Sequence, residues 1–294
     1  MNFGIVMANA LSIDWNEVWN SQLQLHRSCS VTRNWEWARI WERKDSAQKF
    51  WDLFSENKER VDIVLRETSI SPKSRILDVG AGPGLLAIPF AAKVEHVTAV
   101  EPSEGMVSVL REQMEKHDAK NISIVKKRWE DVNIIEDLEP PYDVVIASMS
   151  LDMLNIRRAI YKMEEASSKY IYLYHFAGGD SDVHLRELWP KLHGREYYSG
   201  PKSDVLYNVL YQMGIYPHVS TFTLDLSQKY NSVQELLNVL RSKYEVKTEE
   251  QELILRDHFG RILKESNGTF IIQNYSTRVK MWWDKEFMHS SFVQ

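Results

Sequence analysis

The sequence has little cysteine and no long apolar run. Its 294 residues include one cysteine, Cys29, which excludes an internal disulfide framework and a cysteine-rich metal site. No stretch approaches the roughly 18 consecutive apolar residues of a transmembrane helix, so no membrane span is predicted. The first residues lack the basic segment of a signal peptide, and together these features predict a cytoplasmic protein.

Positive charge is not in excess either. The chain has 36 Lys and Arg against 41 Asp and Glu, which gives a net charge of −5. A nucleic-acid partner held by a general positive field is therefore not expected. The short basic cluster at 126–128 is interpreted as a solvated strand edge. The sequence predicts no oligomeric state.

Tryptophan, in contrast, is abundant near the N-terminus. Among the ten tryptophans, those within the first 51 residues are Trp15, Trp19, Trp35, Trp37, Trp41 and Trp51. Apolar spacing in residues 12–57 predicts two or three amphipathic helices. We interpret residues 1–57 as a helical cap or lid on the rest of the chain. The rings either pack this cap onto the rest of the chain, or Trp19, Trp37 and Trp41 line a substrate pocket.

Strand and helix patterns alternate in residues 58–180, the predicted core. Near-continuous apolar strands separated by helices are typical of a parallel sheet covered on both faces. With right-handed crossovers, this order predicts a doubly wound, mostly parallel α/β fold. The strands of this core are expected at 75–79, 96–101, 121–127, 142–149 and 169–176.

The alternation of predicted strands and helices becomes irregular in residues 181–294. Helical periodicity there predicts insertions that lie on the substrate side of the sheet. Two stretches, 215–226 and 268–283, are expected to supply the last strands. The predicted helices are at 183–197, 203–213, 232–243 and 248–265.

A glycine-rich turn follows the first predicted strand. In "RILDVGAGPGLLAI", Gly80, Gly82 and Gly84 come directly after the strand and before a helix, where backbone can approach a ligand closely. A P-loop is excluded because no Lys-Ser/Thr pair follows Gly84. A dinucleotide fingerprint has its third glycine one residue later, where Leu85 stands. The alternatives that remain are S-adenosylmethionine (SAM) and a tight turn without a ligand.

Residues after the next two strands favour a nucleoside ligand. Glu101 ends the second strand about 20 residues after the turn, where a carboxylate can accept both ribose hydroxyl protons. Pro102 and Met106 can flank an adenine ring. Beyond the third strand, Trp129 can pack on that ring and Glu130 can meet its exocyclic amine.

In order and spacing these segments resemble a known family. "LDVGAGPG", "VTAVEPSEGM", "RWEDV" and "YDVVIASMSLDML" are similar to the successive motifs of class I SAM-dependent methyltransferases, over residues 72–178. The resemblance implies methyl transfer with SAM as cofactor, and a Rossmann-like sheet of seven strands with an antiparallel last strand.

The resemblance also implies roles for individual residues. Asp78 and the backbone of Gly80, Ala81 and Gly82 would lie against the methionine part of SAM. Glu101 would hold the ribose, and Met106 and Trp129 would enclose the adenine. Ser148 and Met149, after the fourth strand, would border the methyl group.

The sequence indicates the methyl acceptor less clearly than the cofactor. "ASMSLDML" lacks the Asn/Asp-Pro-Pro-aromatic motif of amino-methylating enzymes and resembles small-molecule methyltransferases. Those often have a histidine near position 152, where this chain has Asp152, a candidate substrate contact. His175 is the candidate acid or base. His175, Asp180, Asp182 and His184 are conceivable metal ligands, but the segment 178–180 is typical of an ordinary loop, so no metal is expected.

The leading hypothesis is therefore a methyltransferase acting on a small molecule in a capped pocket. One alternative is a methyltransferase acting on RNA or protein. Another, from a different class, is a regulator that binds SAM without catalysis.

Overall fold

The computed structural model describes residues 13–29, 37–56, 58–178, 182–266 and 268–286, without the side chains of 37–39 and 56. The predicted positions Trp35 and Asp180 and the side chain of Trp37 lie outside this description. Helices before the first strand are α1 (Trp15–Ser28), α2 (Trp37–Glu42), α3 (Lys44–Glu56) and α4 (Glu59–Glu67).

Seven strands form one sheet in the order β3-β2-β1-β4-β5-β10-β6. Neighbours from β3 to β5 are parallel, whereas β10 runs antiparallel to β5 and β6. This confirms the predicted mostly parallel sheet. These strands are β1 (Arg75–Val79), β2 (His96–Val100), β3 (Ile122–Val125), β4 (Tyr142–Ser148), β5 (Ser167–Phe176), β6 (His218–Asp225) and β10 (Tyr275–Asp284).

Helices cover both faces of the sheet because its central strands are apolar on both sides. One face packs against α4, α5 and α6 through an apolar cluster that includes Val64, Phe90 and Leu110. The other packs against α8 and α10 through a larger cluster that includes Ile160 and Leu206. The helices of the two faces are α5 (Ala87–Ala91), α6 (Glu104–Lys116), α7 (Ile134–Asp137), α8 (Ile156–Ala166), α9 (Val183–His193) and α10 (Ser203–Gln212).

The N-terminal helices pack against two separate parts of this core. Asp14 is the N-cap of helix α1, and its carboxylate accepts the Asn16 N–H. The helix lies against α8 and α10. Helices α2 and α3 lie against α6, where Ala47 packs on Met106 and Val109. Backbone approaches closely there, since a Cβ on residue 105 would lie 2.3 Å from the carbonyl oxygen of Trp41.

The C-terminal part contains a small unit between β6 and β10. Its three-stranded sheet has the order β7-β9-β8, and its apolar core packs on α9 through Leu188 and Leu192. Serine and threonine side chains cap its two helices at Ser232 and Thr248. The elements are β7 (Gln228–Tyr230), α11 (Val233–Lys243), α12 (Glu249–Gly260), β8 (Lys264–Ser266) and β9 (Thr269–Ile272).

Several predicted boundaries were wrong. The stretch 268–283 forms two strands in different sheets, β9 and β10, and the sequence did not indicate β7 or β8. Strands of three or four residues are too short for alternation to separate them from turns. The helix predicted at 183–197 ends at His193, because Gly194 adopts φ +66° and terminates it.

Candidate active site

The turn after β1 lies where the strand order reverses, between β1 and β4. In open α/β sheets, ligands bind at this switch point. The turn is bonded to β2, because the N–H groups of Gly80 and Ala81 both donate to the Val100 carbonyl oxygen, at 2.8 and 3.1 Å. Gly80, Gly82 and Gly84 all have positive φ, a backbone conformation that glycine adopts without steric cost. The conformation of this turn therefore explains why glycine stands at these three positions.

Gly80 also touches the loop after β4. A Cβ on residue 80 would lie 2.3 Å from the Cβ of Ser150, and the Ser150 hydroxyl donates to the Val79 carbonyl oxygen at 2.5 Å. Gly82, in contrast, has no atom within 4 Å of where its Cβ would be. Its outer side therefore faces space that a ligand can occupy.

Glu101 joins the glycine turn to the start of α6. One carboxylate oxygen accepts the Gly82 N–H and the other accepts the Ser103 N–H, both at 2.9 Å. Burial raises the pKa of this carboxyl, and the two backbone donors oppose that rise. A carboxylate oxygen has more than one acceptor site, so the oxygen that accepts the Gly82 N–H can also accept a ligand hydroxyl beside the turn.

Asp78 is buried two residues before Gly80. Its side chain is 2% exposed, and its Oδ2 has no hydrogen-bond partner among the described residues. Burial raises the pKa of this carboxyl to about 7, opposed by the Arg60 guanidinium and reinforced by the negative charge of Glu101. An unsatisfied buried carboxylate beside a glycine turn suits a ligand ammonium group, as SAM carries.

Ser150 and Arg60 are two neighbours of the glycine turn and of Asp78 that the sequence did not indicate. Arg60 lies on α4, where burial lowers its pKa and the Asp78 charge opposes that fall. The opposite charges of Asp78 and Arg60 thus act on each other, which suits an amino acid group with its ammonium and carboxylate. One arginine in an amphipathic helix carries no spacing signal, so the sequence could not indicate it.

The residues predicted around adenine are not all brought together. Trp129 is 3% exposed, and its indole N–H donates to the Ala159 carbonyl oxygen at 3.0 Å. The Lys162 ammonium lies 5.0 Å from its ring centre. Trp129 therefore packs in the core against α8 and does not present its face to the cleft.

The other predicted adenine neighbours differ in exposure. Met106 is buried at the contact between α6 and the α2–α3 segment. Pro102 is half-buried between Glu101 and Ser103, and Glu130 is exposed. Of these residues, Pro102 stands beside the Glu101 carboxylate, where the sequence predicted a nucleoside.

The loop after β4 lies between the glycine turn, which Ser150 contacts, and α1, where Arg27 donates to the Asp152 carbonyl oxygen. Ser148 ends the strand with a buried hydroxyl that has no partner among the described residues. Met149 adopts φ +59°, a backbone conformation that costs a non-glycine residue energy and is frequent at functional sites. The loop then reaches Asp152, whose carboxylate accepts from the Arg27 guanidinium at 3.3 Å.

His175 lies at the end of β5, under the segment 197–202. Its Nε2–H donates to the Pro201 carbonyl oxygen at 2.8 Å, and its Nδ1 is buried without a partner among the described residues. Burial lowers its pKa to about 4. The ring is therefore neutral at pH 7 and takes up a proton poorly, which disfavours it as a base.

The predicted pocket tryptophans lie in separate places. Trp19 is fully buried, its indole N–H donates to the Met153 carbonyl oxygen at 3.0 Å, and its ring centre is 5.5 Å from that of His175. Trp41 is partly buried and packs against Phe50 beside α6. Trp19 therefore packs between the loop after β4 and His175, whereas Trp41 belongs to the α2–α3 contact.

No group of three or more potential metal ligands was found within the described ranges. Asp182 pairs with Lys202 at 2.9 Å, and His184 contacts His258 at 3.1 Å. None of the helices in the described part of the chain is long and apolar enough to cross a bilayer.

Known proteins resemble parts of this chain. The family model described as "Methyltransferase domain" matches residues 76–167. An uncharacterised protein of Haemophilus influenzae is 26% identical over 75% of this chain and 80% of its own length. A protein of Methanosphaera stadtmanae, named as a probable ribosomal RNA small subunit methyltransferase A, is 32% identical over 33% of each chain.

Solved structures share the fold. A Bacillus halodurans protein assigned to the methyltransferases superimposes with a TM-score of 0.54 and 14% identity, covering 76% of this chain and 98% of its own. A Bacillus subtilis protein, YcgJ, gives a TM-score of 0.50 at 14% identity.

Proposed function

We propose that this chain, which is a class I SAM-dependent methyltransferase, transfers the methyl group of SAM to a small molecule. The small molecule binds at the ends of β4 and β5, where α1 and the segment 197–202 cover the site. SAM supplies an electrophilic methyl group on a sulfonium. The protein holds the two reactants in line and excludes water, which is where most of the rate gain in such a transfer arises.

The contact between α1 and the segment 197–202, above the loop after β4, is the observation that carries this proposal. Helix α1 crosses the loop after β4, and the segment 197–202 is bonded to its end. The Tyr198 carbonyl oxygen contacts the His26 Nδ1 at 2.8 Å, and the Tyr198 N–H donates to Cys29 Sγ at 3.1 Å. A cleft covered in this way admits a small acceptor more readily than a folded RNA or protein.

Three parts of the chain divide the work in this proposal. Residues 58–180 bind SAM, with Asp78, Gly80, Ala81, Gly82 and Glu101 against the methionine and ribose. Residues 1–57 form the cap, and residues 181–294 complete the substrate side. Ser148 and Met149 border the transferred methyl group.

A transfer assay with methyl-tritiated SAM tests the function. The full chain is incubated with three separate pools, a small-molecule extract, total RNA, and protein freed of small molecules. We expect label in the small-molecule pool, and none with a Glu101→Ala variant, because that variant loses the carboxylate proposed to hold the ribose. Label in RNA or protein would support the alternative acceptors. Calorimetric binding of SAM without transfer to any pool would indicate a non-catalytic regulator.

Arg60 is proposed to hold the carboxylate of the methionine part. Replacing it with Leu should weaken binding of SAM and its demethylated product about 10- to 100-fold, since a hydrogen bond to a charged group contributes roughly 1.5–3 kcal/mol. Binding of 5′-methylthioadenosine, which lacks the amino acid, should change less than about twofold by the same reasoning. Isothermal calorimetry measures all three affinities.

The matched control for this prediction is Arg66→Leu on the same helix. Arg66 is exposed and pairs with Glu67, so all three affinities should stay at the wild-type values. An equal loss of methylthioadenosine binding by Arg60→Leu would contradict the assignment.

A further inference from the structure

The loop after β4 is joined to the end of β5 by contacts at both of its ends. At its start, the Met149 N–H donates to the Tyr174 carbonyl oxygen at 3.0 Å. At its other end, the Met153 carbonyl oxygen accepts the Trp19 indole N–H, also at 3.0 Å. The Trp19 ring centre lies 5.5 Å from that of His175, the residue after Tyr174. The loop and the His175 ring therefore border one small region of the proposed acceptor site.

The same loop lies against the glycine turn. A Cβ on residue 80 would lie 2.3 Å from the Cβ of Ser150, and the Ser150 hydroxyl donates to the Val79 carbonyl oxygen. The Asp152 N–H donates in turn to the Ser150 carbonyl oxygen at 3.0 Å. A molecule bound between Asp152 and His175 therefore lies beside the glycine turn, where SAM is proposed to bind.

His175 has a buried ring nitrogen that lacks a hydrogen-bond donor. The Pro201 carbonyl oxygen, 2.8 Å from Nε2, can only accept, so Nε2 carries the proton. The neutral ring then has its lone pair on Nδ1, which faces away from Pro201. His175 is 7% exposed, and its Nδ1 has no partner among the described residues. A buried acceptor without a donor costs free energy, so a ligand N–H or O–H at this nitrogen would offset that cost.

Asp152 adds a carboxylate to the same region. Its Oδ2 accepts from the Arg27 guanidinium at 3.3 Å, whereas the shorter bond from Arg27, at 2.8 Å, goes to the Asp152 backbone carbonyl oxygen. Oδ1 accepts from none of the described residues. The side chain is 54% exposed, yet burial by surrounding protein raises the pKa of the carboxyl, with the charges of Arg27 and His26 opposing. A carboxylate that is exposed but surrounded by protein lines a recess, where positive charge on a ligand is stabilised.

These two hydrogen-bond acceptors favour one kind of nucleophile. When a neutral nitrogen attacks the methyl group, the positive charge of the sulfonium passes to that nitrogen, and a nearby carboxylate stabilises it in the transition state. A hydroxyl gains most from losing its proton to a base, and the neutral His175 ring takes up a proton poorly. An alkyl amine keeps its lone pair on nitrogen, unlike the conjugated amino groups of nucleobases and amides. The missing Asn/Asp-Pro-Pro-aromatic motif therefore does not count against an alkyl amine.

We propose that the methyl acceptor is an alkyl amine, whose N–H donates to His175 Nδ1 while the Asp152 carboxylate stabilises the charge that the nitrogen gains. This inference rests on the proposed function. The ammonium form in solution first loses one proton to water. The neutral nitrogen then bonds to the methyl carbon as the carbon–sulfur bond breaks, with that electron pair staying on sulfur. The product is an ammonium, which releases a proton to water after it leaves. Both side chains act on the amine and neither on SAM.

Fractionated pools test the chemical class of the methyl acceptor. A small-molecule extract is divided by cation exchange at acid pH into an amine pool and an amine-free pool. Part of the amine pool is acetylated with an N-hydroxysuccinimide ester, which converts amines to unreactive amides. Each pool is incubated with the full chain and methyl-tritiated SAM. We expect label in the amine pool and loss of that label after acetylation. Label that survives acetylation overturns the inference.

Asp152→Asn tests the carboxylate. Asparagine can still accept from Arg27, and the bond from Arg27 to the backbone carbonyl is unaffected, so the loop stays in place. Initial transfer to a dilute amine pool, which reports kcat/KM, should fall about 10- to 100-fold, while calorimetric affinity for demethylated SAM stays near wild type. The control Asp118→Asn alters an exposed carboxylate paired with Lys120 and should change neither quantity. Wild-type transfer by Asp152→Asn contradicts the role of this carboxylate.

Two substitutions of His175 separate contact with the amine from support of the segment 197–202. In His175→Gln, the amide reaches the Nε2 position and can still donate to Pro201, but nothing accepts at the Nδ1 position. In His175→Asn, the amide oxygen stands near the Nδ1 position, and the bond to Pro201 is lost. His175→Gln should therefore transfer about 2- to 10-fold more slowly than His175→Asn, with calorimetric binding of demethylated SAM showing that both are folded. The opposite order would assign His175 a structural role alone.

The outcomes separate the two proposals. Transfer to the amine-free pool alone would overturn the amine acceptor and leave the small-molecule function standing. Absence of transfer by the wild-type chain to either pool would overturn the function, and with it this inference.

Discussion

Gly80→Ala should abolish measurable SAM binding and destabilise the fold. An alanine with φ +75° costs about 1–2 kcal/mol, and its Cβ would lie 2.3 Å from that of Ser150. Relieving such an overlap costs typically 1–3 kcal/mol more, and it displaces the turn from the loop after β4. We expect a loss of about 2–5 kcal/mol in the free energy of unfolding, measured by urea denaturation, and no calorimetric binding of SAM.

Two other glycines separate strain from overlap. Gly214 also has φ +75°, but nothing lies within 4 Å of its Cβ position, and it follows α10 away from the cleft. Gly214→Ala should therefore lose only the conformational 1–2 kcal/mol and bind SAM normally. Gly82→Ala should be equally mild in stability yet lose SAM affinity, because its side chain enters the proposed cofactor space. Equal stability of the Gly80 and Gly214 variants would contradict the role given to Ser150.

Asp78→Asn should stabilise the ligand-free protein at alkaline pH and weaken the binding of SAM. The folded state keeps the Asp78 proton up to a pKa of about 7, whereas the unfolded chain loses it near 3.8. Between these values the folded state binds more protons, so this carboxyl lowers stability as pH rises. The full cost, up to about 4 kcal/mol, applies above pH 7.

Asparagine never ionises, so the variant avoids that cost. The difference in unfolding free energy between Asp78→Asn and wild type should be near zero at pH 4 and grow to a few kcal/mol at pH 8, measured by urea denaturation. SAM affinity at pH 8 should fall about 10- to 100-fold, because the charged acceptor for the ammonium is lost.

Asp143→Asn is the control at the opposite end of the sheet. Asp143 accepts the Arg75 N–H through Oδ2, and an asparagine oxygen can replace it. This variant should follow wild type in both stability and SAM affinity. A pH-independent difference for Asp78→Asn would contradict the buried ionisation.

Local sequence pattern was sufficient to predict the strand, the glycine turn and the acid that are proposed to bind the cofactor. The strand before the glycine turn, the turn itself and the acid after β2 each rest on residues close in sequence, and the periodicity of apolar residues fixes their order. The Gly82 N–H bond to Glu101 spans 19 residues, within one strand–helix–strand unit. The short strands β7 and β8 and the helix ends were not predictable, because a few residues hold too little periodicity.

Other site residues depend on how distant segments pack. Trp129 matched a motif, yet α8 provides a carbonyl for its indole N–H, so the ring is core. Arg60 acts on the charge of Asp78 only because α4 packs through Val64 in the same apolar cluster as β1, and nothing in the pattern of α4 distinguishes that arginine.

The sequence by itself determined an α/β sheet with a glycine turn, a buried acid before it and an acid after the next strand, because backbone conformation and apolar spacing are local properties. The tertiary structure alone decided that the Arg27 guanidinium donates to the Asp152 carbonyl oxygen at 2.8 Å, across 125 residues of sequence. That contact follows from the packing of α1 on α8 and α10, which depends on side-chain burial over the whole fold.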